Sequence, residues 1–179
     1  RMGERLTLVA GADIQYTKTD ASILLPSSGP PREGELPFGA DLSDLAGSSA
    51  EGQVFWLPAV FFEAEWTPTP GTWIRPALRV DYFQRISEVV WAPRLTARHQ
   101  FDDAFSLKGG VGLYHQEPAF DETDEAFGNP DLGSEHALHY SLGAEYRPWD
   151  HVTFDVTGFY KGLHDQVSRD PRAPAGVSL

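Results

Sequence analysis

Seven stretches of this chain alternate apolar and polar residues one by one, and their charged side chains keep to one of the two parities. In 140–161, YSLGAEYRPWDHVTFDVTGFYK, Tyr140, Leu142, Ala144 and Tyr146 share one parity, and Glu145 and Arg147 lie on the other. After a small turn the pattern resumes, with Val152, Phe154, Val156 and Tyr160 set against Thr153, Asp155, Thr157 and Lys161. Period two is the mark of a strand with two different faces.

The other five runs behave alike. Leu6, Leu8, Ala10, Ala12, Ile14 and Tyr16 oppose Thr7, Gly11, Asp13, Gln15 and Thr17, with Val9 out of step. Val54, Trp56, Val60, Phe62, Ala64 and Trp66 oppose Gln53, Glu63 and Glu65. Ile74, Leu78, Val80 and Tyr82 oppose Arg75, Arg79, Asp81 and Arg85. Leu95, Ala97 and Phe101 oppose Arg94, Thr96, Arg98 and Gln100, and Phe105, Leu107, Val111 and Leu113 oppose Ser106, Lys108, Gly110, Gly112 and Tyr114. The sixth run begins at Leu138, opposed by His139 and Ser141. Arg or Lys on a lipid-facing position at mid-membrane costs about 2–4 kcal/mol, a penalty that enforces this segregation.

Strand length and connections point the same way. About 12 residues at roughly 3.3 Å each, tilted about 40°, rise about 30 Å, enough to cross an outer-membrane apolar band of about 25 Å. Soluble strands average about 5–6 residues. TPTPG (67–71), FDDA (101–104) and RPWD (147–150) read as short turns. Two connections at the other end are long, 18–52 and 116–135, and the third, near Ser87–Trp91, is short. Trp66, Trp73, Tyr146 and Trp149 gather by the short turns, with Trp73 on the polar parity, and Tyr16, Trp56, Tyr82 and Tyr160 lie toward the long loops, as in two interfacial girdles. The fold expected is an all-β, antiparallel up-and-down transmembrane β-barrel segment of about seven long strands, its apolar face on outer-membrane lipid.

Composition excludes several functions. The net charge of −12 argues against sequence-independent nucleic-acid binding, which needs basic patches to displace counterions. With no cysteine, disulfides and thiol chemistry are excluded. No run approaches the roughly 18–20 apolar residues of a membrane helix. GGVGLY (109–114) lies inside a strand, with no helix or Lys-Ser/Thr after it, so it is not a nucleotide loop. No nucleophile–base arrangement is evident, so no catalytic residue or cofactor is expected.

The acidic connection holds Glu117, Asp121, Glu122, Asp124, Glu125, Asp131 and Glu135, without Lys or Arg. It reads as a solvated extracellular loop, or as oxygen ligands for a hard cation such as Ca²⁺, although its spacing is not that of an EF-hand. His136 and His139 fall on opposite faces of a strand and so do not share a metal, and His115 and His164 read as isolated. Interior Arg75, Arg79, Arg98 and Lys108 are read either as contacts for an anionic ligand or plug carboxylate, or as a ladder balanced by Glu63, Glu65, Asp81, Glu145 and Asp155. Arg75 or Arg79 is the partner expected for Glu63 and Glu65 across the hairpin.

Residues 128–167, GNPDLGSEHALHYSLGAEYRPWDHVTFDVTGFYKGLHDQV, resemble the late barrel of TonB-dependent outer-membrane receptors. In that family an Asn-Pro-x-Leu segment closes an extracellular loop, a Glu follows, and a Tyr-Ser-x-Gly-x-Glu strand begins. Here these are Asn129, Pro130, Leu132, Glu135, Tyr140, Ser141, Gly143 and Glu145, with Phe159 and Tyr160 as the late Phe-Tyr pair. The family usually has Lys-Pro before the Glu, where this chain has Gly133 and Ser134. The stretch 92–116 resembles the preceding hairpin, so the resemblance covers about residues 92–167.

The resemblance implies a 22-stranded barrel in the bacterial outer membrane, with an N-terminal plug and TonB as partners. It implies import of a scarce nutrient such as a ferric siderophore, cobalamin or a glycan, without catalysis. Seven strands fall short of that barrel, so residues 1–179 are expected to be a partial barrel domain lacking the plug. Arg75, Arg79, Asp81, Arg98, Lys108, Tyr114, His139 and Glu145 would face the lumen and meet ligand or plug. Asp121, Glu122, Asp124, Glu125, Asn129 and Asp131 would lie on an extracellular loop. Two alternatives are a small plug-free barrel or pore and a soluble β-sandwich carbohydrate-binding module with Trp and Tyr as sugar platforms. An upstream plug in the gene product separates the first from a receptor, and detergent dependence separates the second.

Overall fold

The computed structural model describes residues 5–26, 45–120, 122, 123 and 129–167, without side chains for 21–26 and 45–53. Every alternating run is a strand. In chain order these are β1 (Leu6–Pro26), β2 (Leu45–Trp66), β3 (Thr72–Phe83), β4 (Glu88–Gln100), β5 (Phe105–Gln116), β6 (Glu135–Trp149) and β7 (Val152–His164). They form one antiparallel sheet in the order β1 to β7, each strand bonded to its sequence neighbours. The sheet is open, with β1 and β7 at its edges. Among the described residues no second sheet packs on it, as a β-sandwich would require.

The register joins the runs face to face. Directly opposed residues in a sheet point to the same side. Phe62 is opposite Leu78, Leu78 opposite Pro93, Leu95 opposite Val111, Val111 opposite Tyr140, and Tyr140 opposite Tyr160. The apolar parities of all seven strands therefore make one continuous surface.

Burial is inverted relative to a soluble protein. On the apolar face Val156 is 73% exposed, Leu142 68% and Ile14 65%. On the other face the carboxylate side chains of Glu145 and Asp81 are only 19% and 20% exposed. The buried strand residues Ala59, Phe83, Val90, Ala92 and Ser106 all lie on the charged face. That is the pattern of a sheet curling toward its charged side and showing its greasy side outward.

Two connections fall where the turn residues place them. Thr67–Gly71 links β2 to β3, with Gly71 at φ 79°, a conformation glycine adopts without strain. Phe101–Ala104 links β4 to β5, and Asp102 Oδ1 accepts from the backbone N–H of Ala104 (2.8 Å) and Phe105 (2.7 Å).

Other boundaries correct the sequence reading. The segment read as a loop from residue 18 is strand as far as Pro26, and strand resumes at Leu45. Alternation faded there, but backbone pairing continued past a bulge between Thr19 and Ala21. Lys18 lies on the outward parity, beyond Tyr16, and is paired with Asp20 at 3.3 Å. The third long-loop-end connection is short as expected, but it sits at Gln84–Ser87, and Val89–Trp91 belong to β4. The RPWD turn shrinks to Asp150 and His151, because β6 runs on to Trp149. Pro148 has no N–H for the ladder, so the register slips between Tyr146 and Trp149 before Trp149 meets Val152.

Close approach inside the sheet requires Gly143. A Cβ there would sit 2.5 Å from Thr157 Oγ1 and 3.1 Å from the Val156 carbonyl oxygen, which the backbone holds in place. Gly143→Val is expected to destabilise the sheet by about 1–3 kcal/mol, the usual cost of overpacking. Thermal unfolding in detergent, followed by circular dichroism, checks it.

Candidate functional site

The charged face divides into two zones. Toward the short turns the cations are matched. Arg75 Nε lies 3.3 Å from Glu63, and the same guanidinium bonds Glu65, as expected across that hairpin. Arg79 reaches Asp81 at 2.8 Å and Asp13 at 3.3 Å. Arg98 meets Glu145 at 3.3 Å and Ser106 Oγ at 3.0 Å, and Lys108 bonds Asp155. Arg147 also reaches Glu145, at 3.4 Å. Six residues expected to face the lumen, namely Arg75, Arg79, Asp81, Arg98, Lys108 and Glu145, thus form a ladder of ion pairs across neighbouring strands.

Toward the long loops Arg85 still pairs with Glu117, but one group of cations is left unmatched. One rung runs Arg94–Gly112–His139–Lys161 across β4, β5, β6 and β7. Tyr114, two residues along β5, lies over it: the Arg94 guanidinium is 4.6 Å from the Tyr114 ring centre, and the His139 ring is 4.5 Å from it. Gly112 makes this possible, since a Cβ there would sit 2.9 Å from the Tyr114 ring. Among the described residues neither Arg94 nor Lys161 has a carboxylate within 4.0 Å. Among the described residues Arg94 Nε and His139 Nε2 are buried without a hydrogen-bond partner, as are Arg75 Nε and Arg85 Nε. The next rung, Thr96–Gly110–Ser141–Phe159, is small and polar except for Phe159, which is 84% exposed. Here a smooth wall carries cations, aromatic rings and unused donors, suited to a small anion with apolar parts.

Sequence reading placed Tyr114 and His139 on this face but missed Arg94 and Lys161 as members of the group. The signal was parity, which both satisfy. Their shared rung depends on the register across β5 and β6, which are separated by a long connection.

The loop ends are tied down. Arg85 bonds Glu117 at 2.6 Å, and Glu88 accepts from the Ser134 backbone N–H (2.9 Å) and Oγ (3.0 Å). Glu135 accepts from the Val167 N–H at 2.7 Å. Glu122 accepts from the Ala119 N–H at 2.6 Å, and Asn129 Oδ1 from the Asp131 N–H at 3.0 Å. Of the acids in this connection, Glu122 and Glu135 thus hold backbone N–H groups and Glu117 holds Arg85. Asp121, Asp124 and Glu125 lie outside the described residues. Glu88→Ala is expected to release the Ser134 segment at a local cost of about 1–3 kcal/mol, the range for bonds to a charged group left unmade. Faster proteolysis at the β5–β6 connection, with the barrel fragment intact, is the measurable result.

The histidines depart from expectation in part. His139 and His136 do point to opposite faces, since His139 is opposite Gly112 and Lys161. But His115 and His164 are not isolated: both are directly opposite His136, on the outward face.

Long strands, an outward apolar surface, an inward ion-pair ladder and interfacial aromatics define a piece of transmembrane β-barrel wall. No helix among the described residues is long and apolar enough to cross a membrane. The chain belongs to the family described as TonB dependent receptor-like, beta-barrel, whose model matches residues 1–179. Receptors of this family are outer-membrane transporters of small-molecule ligands, generally not enzymes.

No curated protein sequence matches the chain. Among solved structures it resembles the siderophore receptor PirA from Pseudomonas aeruginosa, at 21% identity and TM-score 0.64, over 89% of this chain and 28% of that one. It also resembles a mutant of the ferric enterobactin receptor PfeA from Pseudomonas aeruginosa, at 21% identity and TM-score 0.68, over 90% and 24%. The copper transporter OprC matches at 18% identity and TM-score 0.57, over 88% and 27%. These likenesses establish the fold. The chain spans about a quarter of the length of these structures.

Proposed function

We propose that this chain is part of the barrel of an outer-membrane receptor that imports a scarce, anionic small-molecule nutrient, a ferric siderophore before cobalamin or a glycan. Residues 1–179 are one portion of the barrel domain, with an N-terminal plug inside it and TonB delivering the energy. The observation that carries the ligand class is the unmatched rung Arg94–His139–Lys161 beneath Tyr114, on the inward face near the long loops. The other described inward cations of β3–β5 have carboxylate partners, so they hold the wall or face a plug.

The receptor reading has a direct test. The complete receptor polypeptide is titrated in detergent with ferric catecholate, ferric hydroxamate, cobalamin and maltodextrin, and uptake is followed in cells with and without TonB. Saturable binding of a ferric siderophore with TonB-dependent uptake is expected. Preference for the neutral maltodextrin would transfer the assignment to glycan import, and TonB-independent leakage would make it a plug-free pore.

A further inference from the structure

Half of the chain's histidines stand in a single rung on the outward face. There are six in all, and His115, His136 and His164 are directly opposed across β5, β6 and β7. The ring centres are 5.8 Å apart for His115–His136 and 5.1 Å for His136–His164, the latter pair inclined by only 16°. Ten residues down each strand, also in mutual register, are Phe105, Tyr146 and Phe154. Ten residues at about 3.3 Å, tilted about 40°, span roughly 25 Å, the height of the apolar band. The histidine rung therefore lies at the long-loop edge of that band, at headgroup level, on the side away from the lumen.

The hydrogen bonds on these rings leave particular nitrogens available. Asp165 Oδ2 lies 3.1 Å from His136 Nδ1, and Ser134 Oγ lies 3.4 Å from His115 Nδ1. A carboxylate accepting from Nδ1–H fixes the tautomer and leaves the Nε2 lone pair free for a metal, the arrangement seen behind metal-bound histidines. Asp165 takes up a positive φ of 53° immediately after the strand that carries His164. Gly162 lets the His164 ring lie against its own strand: an added Cβ there would stand 3.4 Å from Nε2, in van der Waals contact.

We infer that His115, His136 and His164, with Asp165 behind His136, form a transition-metal site on the outer rim of the barrel. Neutral imidazoles with a carboxylate suit Cu²⁺, Zn²⁺ or Ni²⁺, with Cu²⁺ held most tightly in the usual order. Among the described residues no three such side chains are already gathered around one point. Binding therefore turns neighbouring imidazoles toward each other, which opposed side chains with Cβ atoms about 5 Å apart allow. The net charge of −12 favours arrival of a cation. This inference does not depend on the nutrient that the receptor imports.

The test uses the complete receptor polypeptide in detergent, with CuSO₄ or ZnCl₂ as the only added ligand. Calorimetry and electron paramagnetic resonance are compared for wild type, His136→Gln, Asp165→Asn and His151→Ala. The site predicts a saturable Cu²⁺ equivalent with nitrogen ligands that disappears in His136→Gln, weakens about tenfold or more in Asp165→Asn, and persists in His151→Ala, whose histidine lies in the short turn at the other end of the strands. A wild-type readout covers the case in which a variant fails to fold. Zn²⁺ should slow diethylpyrocarbonate modification of His115, His136 and His164, but not of His139 or His151, as read by mass spectrometry. Unchanged Cu²⁺ binding in a folded His136→Gln protein, or modification of all five histidines at the same rate with and without Zn²⁺, would overturn the assignment.

Discussion

Leu142→Arg is expected to prevent assembly of this part of the barrel wall, whereas Ser141→Arg, one residue away, should assemble. Leu142 is 68% exposed, so in water the change would cost little. In a membrane its side chain lies on the continuous apolar face, opposite Gly109 and Gly158, about midway between the Tyr146 and His136 rungs. Arginine there forces a guanidinium into hydrocarbon at about 2–4 kcal/mol. That is a large share of the ordinary stability of a folded domain, about 5–15 kcal/mol. Ser141 faces the other way, between Gly110 and Phe159, where an arginine reaches water. Heat-modifiable gel mobility of the receptor recovered from outer membranes measures both variants. Equal assembly of the two would mean that the apolar face does not meet lipid.

Arg94→Ala is expected to weaken binding of an anionic nutrient by about ten- to a hundredfold while leaving the barrel folded. A hydrogen bond to a charged group contributes about 1.5–3 kcal/mol, and each 1.4 kcal/mol is tenfold in affinity. The barrel should tolerate the loss, because no carboxylate among the described residues depends on Arg94, whose visible partner is the Tyr114 ring at 4.6 Å. Arg75→Ala supplies the contrast. It strips Glu63 and Glu65 of their shared cation, so it should lower stability more than affinity. Titration calorimetry with a ferric siderophore, beside thermal unfolding of each variant, separates the two effects. Affinity unchanged in Arg94→Ala would remove the rung from the ligand path.

The difference between these two arginines was not visible before the strands were aligned. Both sit on the polar parity, but sequence alone offered only Arg75 as a ligand contact or as part of a balanced ladder and did not single out Arg94. Arg75 has carboxylates nearby because a five-residue turn, Thr67–Gly71, brings Glu63 and Glu65 back beside it. A short turn fixes register nearly by itself, and that pairing was legible. Arg94 meets His139 and Lys161 only through β5 and across the long β5–β6 connection, whose length leaves the register open. The histidine rung was hidden for the same reason: His115 and His136 are separated by that connection, and spacing in the chain says nothing about their meeting.

Strand ends show the same limit. Inside the apolar band each residue's parity carries a penalty, so β3 to β7 were readable over most of their length. Past Tyr16 the penalty fades, Lys18 sits on the outer parity, and β1 continues to Pro26 without any alternating pattern to betray it. At the opposite end Pro148 looked like the corner of a turn, but it marks a slip within a strand that goes on to Trp149.

The sequence by itself determined that this chain forms long two-faced strands, and which side of each strand would meet hydrocarbon, because moving charge into lipid costs more than any local preference can offset. Only the tertiary structure decided which residues stand shoulder to shoulder on each side. That depends on the stagger between strands, set by backbone hydrogen bonds that are alike for every side chain and so leave no mark in the order of residues.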